Sequence, residues 1–152
     1  MRKKEKFEKN EIIRLIQEEL KNIDQLQREL VNYHGNTHLY RRAKGSILHD
    51  FYNICERIFE TICRKVNGEI PMVIEWHKKL LYQMTIDLGE IRPAVLSKNL
   101  AAELDEYLAF RHLFRNIYGF ELESGRLDRL VEKFPKVVDL FKKEIKKFLK
   151  KL

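Results

Sequence analysis

Through most of this chain the apolar residues return at steps of three and four, and very little interrupts them. Ile12, Ile13, Ile16, Leu20, Ile23, Leu26, Leu30 and Val31 make one such stripe; Ile47, Phe51, Ile54, Cys55, Ile58, Phe59 and Ile62 make another. A period near 3.6 gathers each set on one side of an α-helix and does not fit the alternation of a half-buried strand. Six Gly and three Pro in 152 residues are too few turn formers for an ordinary all-β fold. With 44% hydrophobic residues the chain is too apolar to be disordered. At 18.4 kDa it fits one domain, 1–152, able to bury roughly two-thirds of its extended surface. No apolar run reaches the ~18 residues of a membrane span.

The punctuation sets the expected boundaries. The first helix is predicted from about 5 to 33, stopped by His34-Gly35-Asn36-Thr37, with Gly35 suited to a left-handed cap. A second runs from about 40 to 66 and ends at Asn67-Gly68. Pro71 precedes a third, about 73–87, carrying Trp76, Leu80, Leu81 and Met84. Gly89 and Pro93 make 88–96 a loop, and Ser97 is a plausible N-cap for a fourth helix over about 98–118, ended by Gly119. The last helix spans about 125–152 with Pro135 as a potential kink, and its stripe is Phe134, Val138, Phe141, Ile145, Phe148 and Leu152. The fold class is therefore all-α, an antiparallel bundle of four to five helices.

Charge is unevenly spread. Thirty Lys+Arg against 23 Asp+Glu give +7, and residues 133–152 alone hold eight lysines, Asp139 and Glu144. Such a run is either a solvated helix face, with cations near the negative end of the dipole, or an electrostatic footprint for RNA or an acidic partner. The basic start MRKKEKFEKNEIIRLI breaks into mixed charge and is no signal peptide. Cys55 and Cys63 lie about 12 Å of helical rise apart, too far to bridge. A cytoplasmic location is expected. Five His and two Cys show no paired ligand spacing, and no Gly-rich phosphate loop occurs, so neither a metal nor a cofactor is expected.

The segment richest in chemistry is Phe110-Arg111-His112-Leu113-Phe114-Arg115-Asn116-Ile117-Tyr118-Gly119-Phe120. On a helix Arg111, Arg115 and Tyr118 share one stripe, and His112 and Asn116 share the next. Leu113, Phe114 and Ile117 are left to face the core. Arginine suits bidentate phosphate recognition, and histidine titrates near neutrality as a proton shuttle. Elsewhere, His49-Asp50 reads as a polar pair inside the bundle or a support for this cluster. Glu56 and Arg57 read mainly as an ion-paired surface, Trp76 as core or interface, and His77 stays ambiguous.

The run from Arg111 to Tyr118 resembles the R-x4-H-x-Y signature of the HEPN superfamily, in its HepT-like toxin branch. His49-Asp50-Phe51-Tyr52 with Glu56-Arg57-Ile58-Phe59-Glu60 looks like that branch's second helix. Trp76 to Met84 and Ile91 to Ser97 are similar to its middle segment, so the resemblance spans about residues 40 to 130. It implies a metal-independent ribonuclease toxin, working as a homodimer whose motif helices line one cleft, with attack of an RNA 2′-hydroxyl on the adjacent phosphate. By the same resemblance, Arg111 stabilises phosphate charge. The partner would be a minimal nucleotidyltransferase antitoxin that adds AMP to the tyrosine matching Tyr118. The motif histidine falls on Asn116, whose amide has no usable pKa. His112, one turn earlier on the same stripe, is one candidate to replace it; phosphate clamping by Arg111 and Arg115 is the other route. The alternative is a catalytically weakened dimer that binds a nucleotidyltransferase or RNA.

Overall fold

In a computed structural model, which describes residues 2–68, 74–116, 118 and 124–152, five α-helices are present and no strand among the described residues. They are α1 (Arg2–Leu30), α2 (His38–Ile62), α3 (Trp76–Gln83), α4 (Lys98–Asn116) and α5 (Ser124–Lys150). Contacts between them fix their directions. Glu19 pairs with Arg57 while the short connection from Leu30 to His38 joins the other ends, so α2 runs against α1. Ser97 donates to Glu144 and Glu103 pairs with Lys133, so α5 runs against α4. Asp24 meets Lys142 while Ile13 and Gln17 line a groove with Lys146 and Leu149, so α5 runs against α1. α4 runs antiparallel to α2, because Arg111 reaches Glu56 while Arg115, further along α4, reaches His49, earlier on α2. α2 is the central element and touches each of the other four.

Its apolar stripe explains that position. Phe51, Ile58, Phe59 and Ile62 are fully buried, and Phe51 packs edge-on against Tyr107 of α4 and Phe134 of α5 at 5.4 and 5.0 Å. Edge-to-face pairs at this spacing add about 0.5–1.5 kcal/mol beyond the area they bury. On α5, Phe134, Val138, Phe141, Ile145 and Phe148 are all buried as the stripe requires, and Leu152 is half-buried. The helix continues through Pro135. Cys55 and Cys63 are buried thiols and not a disulfide. No helix among the described residues is long and apolar enough to cross a membrane.

Several ends differ from expectation, each for a local reason. α2 starts at His38 because the Thr37 hydroxyl accepts from the Tyr40 amide. Its last turn, Cys63–Asn67, widens to a π-helix and closes on Gly68 at φ 92°. α1 ends at Leu30, so Gly35 (φ 98°) is left-handed within the connection and not at the cap itself. There its carbonyl accepts from Lys44 Nζ at 2.7 Å.

α3 stops at Gln83, short of the expected 87, since the carbonyls beyond it are taken by other groups. Met84 O accepts from the amides of Val95 and Leu96. The buried Arg92 donates to the carbonyls of Gln83, Ile86 and Pro93 and to Asn67 Oδ1. Ser97 caps α4 as expected, its hydroxyl accepting from Leu100 N at 3.1 Å. α4 ends at Asn116; Pro71, Val73, Ile117, Gly119 and Phe120, invoked from the sequence, lie outside the described residues.

Arg92 thus ties the α3–α4 connection to the end of α2, and Arg92→Ala should strand three carbonyls and Asn67. A loss of about 2–3 kcal/mol, on the order of 5–10 °C in Tm, is expected in a thermal melt. Arg57→Ala, which removes an exposed pair, should cost less than ~1 kcal/mol in the same experiment.

Candidate functional site

The chemistry-bearing end of α4 lies across the middle of α2. Three α2 residues at helical spacing, His49, Asn53 and Glu56, face it, and they divide its two arginines into an inner and an outer layer. The inner layer is Arg111, which is only 3% exposed. Its Nη1 and Nη2 donate to Glu56 Oε1 and Oε2 at 3.2 and 3.1 Å, a fork-to-fork pair, and Nη1 also donates to Asn53 Oδ1 at 2.9 Å. Its guanidinium carbon lies 4.8 Å from the centre of the Tyr52 ring. His77 from α3 closes the group, with Nδ1 2.9 Å from Glu56 Oε2 and 3.2 Å from Arg111 Nη2. Both cannot be hydrogen bonds of one ring nitrogen, and the carboxylate is the partner that favours an N–H at Nδ1. Burial pushes the Tyr52 phenol and the Cys55 thiol well up, so both stay neutral beside this charge cluster.

The outer layer is half exposed. Arg115, one turn beyond Arg111, donates from Nε to His49 Nε2 at 3.1 Å and from Nη2 to Asn53 Oδ1 at 3.4 Å. Asn53 therefore bridges the two guanidiniums through one oxygen. Because Arg115 donates to Nε2, the neutral His49 ring carries its proton on Nδ1, which faces Asp50 Oδ1 at 3.5 Å. The ring also lies against Phe114, with centroids 5.5 Å apart. Burial lowers the His49 pKa, Arg115 and Arg111 lower it further, and Asp50 opposes them.

His112 and Asn116 are exposed on the neighbouring stripe, as their spacing requires. The Asn116 amide donates to the His112 carbonyl at 2.7 Å, capping the last turn of its own helix. His112 faces an open groove between α3 and α4, with His77, Lys78, Leu113 and Arg126 around it. Tyr118, beyond the helix, is 68% exposed. Among the described residues no three His, Cys, Asp or Glu side chains gather to hold a metal ion.

The structure corrects two expectations. Glu56 is not a surface ion-pair residue like Arg57; it is 6% exposed and pairs with Arg111. Leu113 does not face the core; it lines the groove, while Arg111 takes the inward direction with Phe110 because Glu56 neutralises it. Trp76 is half-buried against the core, its ring 3.8 Å from that of His77. Asn53 is the participant that sequence reasoning missed. Its signal was present: His49, Asn53 and Glu56 repeat at four and three on one face of an otherwise apolar helix.

Comparison with protein families matches residues 43–152 to the family described as HepT-like protein, a stretch that includes every residue of this site. No curated protein and no solved structure matches the chain.

Removing Glu56 should leave a buried, unpaired guanidinium. Glu56→Ala is expected to cost about 3–5 kcal/mol in urea unfolding. The double variant Glu56→Leu/Arg111→Met, which removes both charges and keeps the volume, should recover most of that loss.

Proposed function

Because the chain belongs to the HepT-like family, we propose that it is a metal-independent RNA endonuclease of the toxin kind, acting as a homodimer and silenced by a minimal nucleotidyltransferase partner. The observation that carries this reading is Arg115: an exposed guanidinium held beside an imidazole and coupled through Asn53 to a second, buried guanidinium. That arrangement suits a phosphodiester. Arg115 meets the phosphate oxygens, and Arg111, neutralised by Glu56, shares the Asn53 oxygen with Arg115 and so holds it in position from behind. The RNA 2′-hydroxyl attacks the adjacent phosphorus, and His112 takes part in proton transfer in place of the histidine that Asn116 replaces.

The exposed polar end of α4 supports dimerisation, since a second protomer would close over Arg115, Asn116 and Tyr118. The exposed Tyr118 phenol suits attachment of AMP, which would set a negative phosphate near Arg115 and compete with RNA. The lysines of α5 add affinity for RNA that salt weakens.

One observation favours the second reading, a dimer that binds RNA or its partner without cutting. The Asn116 amide is spent on the His112 carbonyl, so position 116 offers the substrate no proton chemistry.

Cleavage of single-stranded RNA without added metal separates the two. His112→Ala should abolish cleavage and Asn116→His should change it little. A gain of about 10²–10⁴-fold in Asn116→His would instead show that position 116 still limits the reaction. Arg115→Ala should weaken binding and flatten its salt dependence by about 0.7 in slope, one phosphate contact for a single strand.

A further inference from the structure

We propose that His49 on α2 is the base that takes the 2′-hydroxyl proton, with Asp50 as its positioning residue. The inference rests on the ribonuclease reading above and adds a catalytic group from outside the motif helix. The geometry supplies three requirements of a base. The Nε2 lone pair points at Arg115, the cation that meets the phosphate, so a phosphate bound there brings its neighbouring 2′-hydroxyl toward Nε2. Donation from Arg115 leaves Nε2 unprotonated in the neutral ring, and the Asp50 carboxylate, 3.5 Å from the opposite nitrogen, offsets the positive charge that develops on the ring. The ring packs against Phe114, with centroids 5.5 Å apart.

Access is not blocked. Arg115 is exposed, and its Nε–H can exchange the imidazole for a phosphate oxygen while Nε2 exchanges the guanidinium for the 2′-hydroxyl. The proton of the 2′-hydroxyl passes to His49 Nε2 as O2′ bonds to phosphorus and the P–O5′ bond breaks. His112, three residues before Arg115 on α4, gives a proton to the leaving 5′ oxygen. The products are a 2′,3′-cyclic phosphate and a 5′-hydroxyl, with both electrons of the broken bond on O5′. One histidine thus comes from each helix, His49 from α2 and His112 from α4.

The charged groups facing His49 are Arg115 and Arg111 from α4 and Asp50 from α2. Desolvation and the two arginines favour the neutral ring, so His49 remains a competent base below the ordinary imidazole value. The rate requires His49 neutral and should fall as pH drops through its pKa, giving the acidic limb of the profile. Asp50 raises that pKa, so its removal should move the limb to lower pH.

The test is the pH dependence of kcat/KM for single-stranded RNA in the full chain, alongside binding of a 2′-O-methyl RNA that cannot be cut. His49→Gln is expected to lose about 10²–10⁴-fold in kcat/KM together with the acidic limb, and to bind the 2′-O-methyl RNA unchanged. Asp50→Asn is expected to keep cleavage with the limb shifted to lower pH; it decides the matter if His49→Gln fails to fold. If the parent cleaves and either variant keeps both rate and limb, the His49 assignment is overturned and the ribonuclease reading stands. If the parent binds the 2′-O-methyl RNA and cleaves nothing, both fall.

Discussion

A guanidinium at 3% exposure cannot stand alone in a helical bundle, and the pairing of Arg111 with Glu56 is what the site is built around. The desolvation cost of each ion is several kcal/mol even after relaxation, and it is offset only by good geometry and further hydrogen bonds. Both are present: a two-point contact with the carboxylate, a third hydrogen bond to Asn53, and the face of Tyr52. The members come from different helices, Arg111 from α4, Glu56, Asn53 and Tyr52 from α2, His77 from α3. Sliding any of these helices by one residue would leave a charge buried without its partner. Apolar packing brings the helices together, but it tolerates substitution and small shifts. The ion pair tolerates neither a shift nor the loss of one partner alone.

The register so set determines what reaches solvent. Arg115, one turn beyond Arg111, comes level with His49, one turn before Asn53. Two arginines of the same helix stripe therefore end in opposite situations. The inner one is consumed by internal partners. The outer one is exposed, and its hydrogen bonds to a neutral imidazole and an amide are ones that a phosphate can replace. Asn53 accepts from both, so a change at either guanidinium is felt by the other through a single oxygen. This division of a structural cation from an accessible one gives the surface a positive edge without a second desolvation cost.

Much of the fold is written in local pattern. The stripes of α1, α2 and α5 identify those helices and most of their buried faces, Thr37 and Ser97 cap where their side chains allow, and Gly68 ends α2 in the left-handed conformation that glycine adopts most easily. The end of α3 was not legible, because it is decided by Arg92 and by the amides of Val95 and Leu96 arriving from further along the chain. Nor was the inward turn of Arg111 in place of Leu113. Hydrophobicity alone sends the leucine inside, and the ranking reverses only when a carboxylate waits across the interface.

The sequence by itself determined a helical chain, the stripes that bury, and a motif on α4 whose arginines and tyrosine suit phosphate chemistry. These follow from a 3.6-residue period and from side-chain types, both readable along one dimension. Tertiary structure alone decided that Glu56 and not its neighbour Arg57 is buried, that Asn53 joins the two arginines, and that His49 meets Arg115. Each of those contacts links residues 55 to 66 positions apart. A burial choice between adjacent charged residues depends on which of them finds a counter-charge across the helix interface, and that counter-charge has no local trace in the chain.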